Sequence, residues 1–195
     1  TSTILSRPLV AVTALGTAQG RELVGTRGAR VGDRVLVTKG VALEGTAILA
    51  YDFAAAAQRL GLSQEDLAAG RRLMDEVSVV PEALLVAQHG ATAMHDVTDT
   101  GLLGALQEIA HLSGVGIEID RARLPLRPVV ARFAQAFQFD PLRMMSSGAL
   151  AATIPPAQAA DAGRALEERG IPFAFVGQVV AGSGVRILGD GTPVY

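Results

Sequence analysis

The chain has 195 residues, 49% hydrophobic and 18% charged, a balance that excludes disordered, collagen-like and coiled-coil classes and fits one buried core. Lysine and arginine total 17 against 19 acidic residues, a formal net charge of -2, so there is no bulk positive field for non-specific nucleic-acid or anionic-membrane binding. Cysteine is absent, which excludes disulfides, thiolate metal sites and cysteine nucleophiles and fits a cytoplasmic protein.

No apolar run reaches the roughly 18 residues of a membrane span. Aromatic residues are 4% and Trp is absent, so the core is built from Ala, Val, Leu and Ile in closely spaced layers. Both ends, Thr1-Ser2-Thr3 and Gly191-Thr192-Pro193-Val194-Tyr195, read as points within a longer protein, because the first residues lack Met and a signal-peptide pattern.

In chain order, Leu9 to Leu15 is β-branched and apolar and predicts a strand. The turn Gly32-Asp33 leads into a short buried strand, Val35-Leu36-Val37-Thr38, closed by Lys39-Gly40. An Ala-rich helix is predicted over 45–60 with Ile48, Leu49, Phe53, Ala56, Ala57 and Leu60 on one inward stripe. Ser63 with Asp66 predicts a capping box opening a helix through about Glu76, with Leu67, Leu73 and Met74 inward. Pro81 opens a short helix to about His89.

Thr92 to Val97 reads as a strand running into the turn Thr98-Asp99-Thr100-Gly101, followed by a helix with Leu102, Leu103, Leu106, Ile109 and Ala110 inward. Val115 to Asp120 is a strand, Pro128 to about Phe137 a helix, Ser147 to Ile154 a strand, and Ala157 to Arg169 a helix with Gly170 as its C-cap. The last two strands, Phe173 to Val180 and Val185 to Leu188, are joined through Gly182-Ser183-Gly184, which reads as a hairpin. Alternating strands and helices with a hairpin-like end predict an α/β fold, a three-layer α/β/α sandwich on a mixed sheet.

The junction from Met94 to Gly101 carries the most chemistry. A strand feeding a helix N-terminus aims amides at an anion, Thr98 and Thr100 offer hydroxyls, and Gly101 admits close backbone approach. Asp96 and Asp99 would repel a bare phosphate, so a phosphate here needs magnesium or another cation. The same residues also serve as plain helix caps. His95 beside Asp96 is the histidine placed to act on a substrate, whereas His89, His95 and His111 lack the spacing of a metal site. Lys39, the one lysine against sixteen arginines, reads either as a point charge for a phosphate at a strand end or as a solvated loop residue. Ser146-Ser147-Gly148 reads either as an anion-facing loop or as a turn. No P-loop, Rossmann fingerprint or G-x-S-x-G elbow is present.

Several blocks, in order, resemble the C-terminal domain of the aminoimidazole ribonucleotide (AIR) synthetase superfamily: 32–40, 44–50, 93–102, 113–120, Asp140-Pro141-Leu142, 146–150 and 171–180. The likeness is greatest to its AIR synthase-related, hydrogenase-maturation-like branch. The resemblance implies that residues 16–195 form that C-terminal domain and that 1–15 are a linker or the last strand of a preceding domain. It also implies that this preceding domain holds Mg-ATP and forms a dimer, and that nothing binds tightly to this chain alone. His95, Asp96 and Thr98 carry over as catalytic or substrate contacts at the cleft between domains. Lys39, Asp99, Thr100, Gly101, Ser146, Ser147 and Gly148 carry over as substrate or phosphate contacts.

Two departures stand out. Thr100-Gly101 stands where relatives have paired glycines, which restricts backbone approach. The hydrogenase-maturation relative carries a carbamoyl group on a terminal cysteine, chemistry that a chain without cysteine cannot run as given. The expected function is ATP-dependent activation of a small substrate by phosphoryl transfer, with the absent domain and a small molecule as partners and a homodimer as a further possibility. The alternative is a non-catalytic nucleotide-sensing or protein-interaction module.

Overall fold

Six strands form one sheet in the order β2-β4-β1-β5-β3-β6, where β1 is Arg34–Thr38, β2 Ala93–Val97, β3 Gly116–Asp120, β4 Ala149–Ile154, β5 Phe173–Val180 and β6 Gly184–Leu188. These come from a computed structural model that describes residues 10–17 and 23–189. Among the described strands only the β3–β6 pair is parallel; β1–β4, β1–β5, β2–β4 and β3–β5 are antiparallel. The helices are α1 Leu43–Asp52, α2 Ala54–Arg59, α3 Gln64–Arg72, α4 Val80–Gln88, α5 Gly101–Ser113, α6 Pro128–Phe137 and α7 Pro156–Glu168, with 3-10 turns at Leu73–Glu76 and Arg121–Arg123.

Period-2 alternation sorts the sheet's side chains. Val35 and Val37 face α5, together with Ala93, Val97, Ala149, Ala151, Ile117 and Ile119. Leu36, Leu150, Ala152 and Ile154 face α4 and α7, which supply Val86, Ala159, Ala162 and Leu166. The expected three-layer α/β/α arrangement on a mixed sheet is thus the observed one. The helix α5 turns Leu102, Leu103, Leu106 and Ile109 inward, as its pattern predicts, each worth roughly 1.5–3 kcal/mol of burial. It touches strands at both edges of the sheet, β2 and β6, so the sheet curls around it. A second cluster, built from Leu43, Ala47, Ala50, Leu67, Val130 and Phe133, packs α1, α3 and α6 together beside the sheet.

Three expectations are corrected. The predicted helix over 45–60 is two helices broken at Phe53, and the helix starts at Leu43. Its buried stripe is therefore Leu43, Ala47 and Ala50, while Phe53 and Leu60 are half exposed. The last two strands are not a hairpin. Residues 181–183 arch over the start of β3, so β5 and β6 pair with opposite edges of β3. Gly116 makes this crossing possible: a Cβ there would lie 3.0 Å from the Val180 side chain and 3.5 Å from the Ala181 carbonyl. Finally, Val10 to Leu15 has no regular structure, since no strand of the described sheet pairs with it, and Leu9 lies outside the described residues.

The capping box at Ser63 is present in both directions, the hydroxyl accepting from the Asp66 amide and the Asp66 carboxylate from the Ser63 amide. No helix among the described residues is long and apolar enough to cross a membrane.

Candidate functional site

Because β1 and β2 both run antiparallel to β4, the C-terminal ends of β1 and β2 and the start of β4 lie together. Three loops converge there: 39–42, 98–101 and 140–148. Backbone and hydroxyl bonds tie them. The Thr98 carbonyl accepts from the Gly101 amide at 3.1 Å and the Ser146 amide at 3.4 Å. The Ser146 Oγ, fully buried, accepts from the Leu43 amide at 3.1 Å and donates to the Gly40 carbonyl at 3.4 Å. The Ser147 amide donates to Glu44 Oε2 at 3.3 Å. Gly148 packs its Cα against the backbone at Glu76 and Val77. The serines therefore fasten loops to the start of α1, and these contacts hold the site's framework.

The N-terminus of α5 is partly consumed. Gly101 has φ +66°, and a Cβ would lie 2.6 Å from the Leu142 carbonyl, so loop 142–144 lies directly on it. The Leu103 amide, one of the helix's first donors, donates to that same carbonyl at 3.0 Å. What faces solvent at this end are side chains: Asp96, 60% exposed, with Asp99 and Thr100 exposed and Thr98 half-buried.

His95 is on the α5 face of β2 and both its ring nitrogens have partners. Nε2 meets Glu108 Oε2 of α5 at 3.0 Å and Nδ1 meets the Asp96 carbonyl at 2.5 Å. The imidazole thus pins the edge strand to α5.

Lys39 points to the opposite face of the sheet. Its Nζ lies 2.7 Å from Glu82 Oε1, 2.9 Å from the Glu76 carbonyl and 2.6 Å from the Ser78 carbonyl. All three ammonium protons have an acceptor, so neither sequence-based reading, phosphate contact or solvated lysine, describes it. Lys39 and Ala42 have φ of 57°, uncommon for residues with a Cβ, and Arg127 holds the turn by donating to the Lys39 carbonyl at 3.2 Å while forking onto Glu76 at 2.8 and 2.5 Å.

The structure brings Thr98, Gly101 and Ser146 together and leaves Lys39 and His95 on opposite sides. Sequence reasoning missed Glu82, Glu108 and Arg143. The chain's single lysine and the Asp140-Pro141 turn, in which Asp140 Oδ1 accepts from the Leu142 amide at 3.0 Å, were the available signals. Among the described residues no three acidic or histidine side chains converge as a metal cage.

Comparison with known proteins agrees with this architecture. Residues 30–190 match the family described as AIR synthase related protein, C-terminal domain. The chain is 35% identical over 167 residues to the carbamoyl dehydratase HypE of Rhodobacter capsulatus, covering 83% of this chain and 45% of that protein. It is 33% identical over 188 residues to the thiamine-monophosphate kinase of Halobacterium salinarum, covering 93% of this chain and 57% of that protein. The crystal structure of E. coli HypE, a hydrogenase maturation protein, superposes with a TM-score of 0.73 at 26% identity, covering 88% of this chain and 52% of that one. This chain thus spans about half the length of the relatives it matches. It belongs to the AIR synthase related family, whose C-terminal domain it carries.

Proposed function

We propose that this chain is the C-terminal domain of an ATP-dependent, AIR synthase-related enzyme that activates a small substrate by phosphoryl transfer. The supporting observation is the placement of Asp96, Thr98, Asp99 and Thr100 at the solvent-facing end of a framework that the Thr98 carbonyl, Ser146 and Ser147 tie together. One of the relatives is by name a kinase, and both relatives are about twice this chain's matched length. In this reading Mg-ATP is held by a preceding domain, with residues 1–15 as its last strand or the linker to it. Bound Mg-ATP supplies the transferable phosphoryl group. This chain's part is to position the acceptor: Asp96 accepts a hydrogen bond from the substrate's nucleophile, the Thr98 and Thr100 hydroxyls orient its neighbours, and His95 holds the strand that carries them. None of these 195 residues is a cysteine, so a carbamoyl-carrying thiol is not among them.

The test is calorimetric titration of Mg-ATP, Mg-ADP and phosphate into this chain, and into the same chain together with the sequence preceding it in its reading frame. Binding by the longer protein alone, with Asp96→Ala lowering turnover more than affinity, is the expected result. Absence of nucleotide binding by both would replace the enzyme with the interaction-module reading.

A further inference from the structure

A groove of about 610 Å³ runs along the outer face of α5, lined by Thr100, Leu103, Gly104, Glu108, His111 and Arg143. Its residues follow the helical spacing of one stripe, 100, 103, 104, 108 and 111, with Arg143 standing on the flank from the Asp140-Pro141 turn. The volume falls in the range of small-molecule sites.

The charges in it differ from those of the cavity of about 430 Å³ beside Lys39. There the ammonium and the Glu82 carboxylate satisfy each other. In the α5 groove the Arg143 guanidinium is exposed and has no acid or other polar partner among the described residues, and the Thr100 hydroxyl has none either. Glu108, the one carboxylate on the lining, is drawn aside by His95 Nε2 at 3.0 Å. Arg27 stands near the far end, its Nε donating to the Leu112 carbonyl at 3.1 Å. Thr100 lies over Gly104, filling the space that a side chain there would occupy, so its hydroxyl stands on the groove floor. Leu112, 45% exposed, supplies an apolar wall at the other end.

We infer that this groove is a binding site for a small molecule carrying an oxyanion, a phosphate or carboxylate, on a short apolar body. The anion is anchored by the Arg143 fork and the Thr100 hydroxyl, and the body lies along α5 toward Leu112. A guanidinium fork with no internal acid keeps all its donors for such a ligand, whereas a cationic ligand would meet the like charge of Arg143. The inference shares the Thr100 hydroxyl with the phosphoryl-transfer reading but does not need that reading, since it concerns binding by this chain without nucleotide.

The test is an amide NMR titration of the chain with phenyl phosphate, phenylacetate, inorganic phosphate and phenol. The expected result is that phenyl phosphate or phenylacetate perturbs amides from Thr100 to Leu112 and at Arg143. Inorganic phosphate should bind the same place at least about tenfold more weakly and phenol should leave it unperturbed. Which of the two anions binds tighter identifies the headgroup. Arg143→Ala should weaken binding about tenfold or more, and Arg143→Gln should behave likewise. Because Arg143 is exposed and unpaired, both variants keep the parent spectrum elsewhere, and that spectrum is the folding control. Perturbations that survive Arg143→Ala, that fall around Lys39 instead, or that phenol reproduces would each overturn the assignment. Loss of nucleotide turnover in a longer protein with this binding intact would overturn only the phosphoryl-transfer reading.

Discussion

Lys39 Nζ and Glu82 Oε1 are 2.7 Å apart, with Glu82 only 1% exposed, so the chain's single lysine neutralises a carboxylate buried in the first turn of α4. The ammonium also collects the Glu76 and Ser78 carbonyls and so binds the turn after β1 to the α3–α4 connection. Lys39→Met leaves the buried Glu82 carboxyl without its cation, with the Thr38 hydroxyl 3.4 Å away as its partner among the described residues, and is expected to cost about 3–5 kcal/mol. Adding Glu82→Gln should recover part of that loss. Urea denaturation of the two single variants and the double variant measures the coupling; an additive double variant would show that the pair does not interact.

The α5 entry depends on a residue without a side chain. Gly101→Ala places a Cβ 2.6 Å from the Leu142 carbonyl on a backbone with φ +66°. The expected cost is about 1–3 kcal/mol for the conformation, with displacement of loop 142–144 in addition. Thermal melting gives the first quantity. Amide shifts at Leu142, Arg143 and Met144 larger than those at the distant α7 give the second.

How much of this was legible in the sequence depends on the range of the interaction. The α5 stripe and the Ser63 box could be read, because each is settled by residues three or four apart. The α1 face could not, because Leu43, Ala47 and Ala50 are buried by the approach of α3 and α6. A Cβ on Gly70 would lie 2.9 Å from Ala50 Cβ, a fit that no local pattern announces. The missed β5–β6 crossing has the same cause, since Gly116 lies more than sixty residues from the loop it admits. At the site, residue types were readable and directions were not. Lys39, Ser146 and His95 were all candidates for a ligand, and all three spend their polar atoms on the chain itself.

Asp66 gives the fold a specific response to acid. The Ser63 backbone amide, followed by the Ser63 hydroxyl, holds its carboxyl below the usual carboxylate range; desolvation opposes this and the Arg132 guanidinium, 2.5 Å away, adds to it. A folded pKa below the unfolded one contributes stability that is complete above the unfolded value, about 3.9, and is lost as pH falls through the folded value. Ser63→Ala removes the cap and is expected to cost about 1 kcal/mol at neutral pH. It should also make the acid limb of the stability–pH curve shallower below about pH 4. Chemical denaturation at a series of pH values reads both effects, and parallel curves for parent and variant would remove the Ser63 hydroxyl, though not the Ser63 amide, from the account.

Asp96 and His95 are adjacent and should fail differently. The Asp96 carboxylate is 60% exposed, with the His95 ring 3.5 Å away as its neighbour among the described residues, so Asp96→Asn should change stability by no more than about 0.5 kcal/mol. If Asp96 receives the substrate's hydrogen bond, the same variant in a nucleotide-binding protein that contains this domain should lose at least about tenfold in turnover with little change in Mg-ATP affinity. His95→Ala instead removes the tie between β2 and Glu108 on α5, so it should lower stability by about 1–3 kcal/mol. Its turnover should fall only as far as the folded fraction does. Paired measurements of melting temperature and turnover on the two variants separate the roles. A catalytic loss at His95 with unchanged stability would move the chemistry from the aspartate to the histidine.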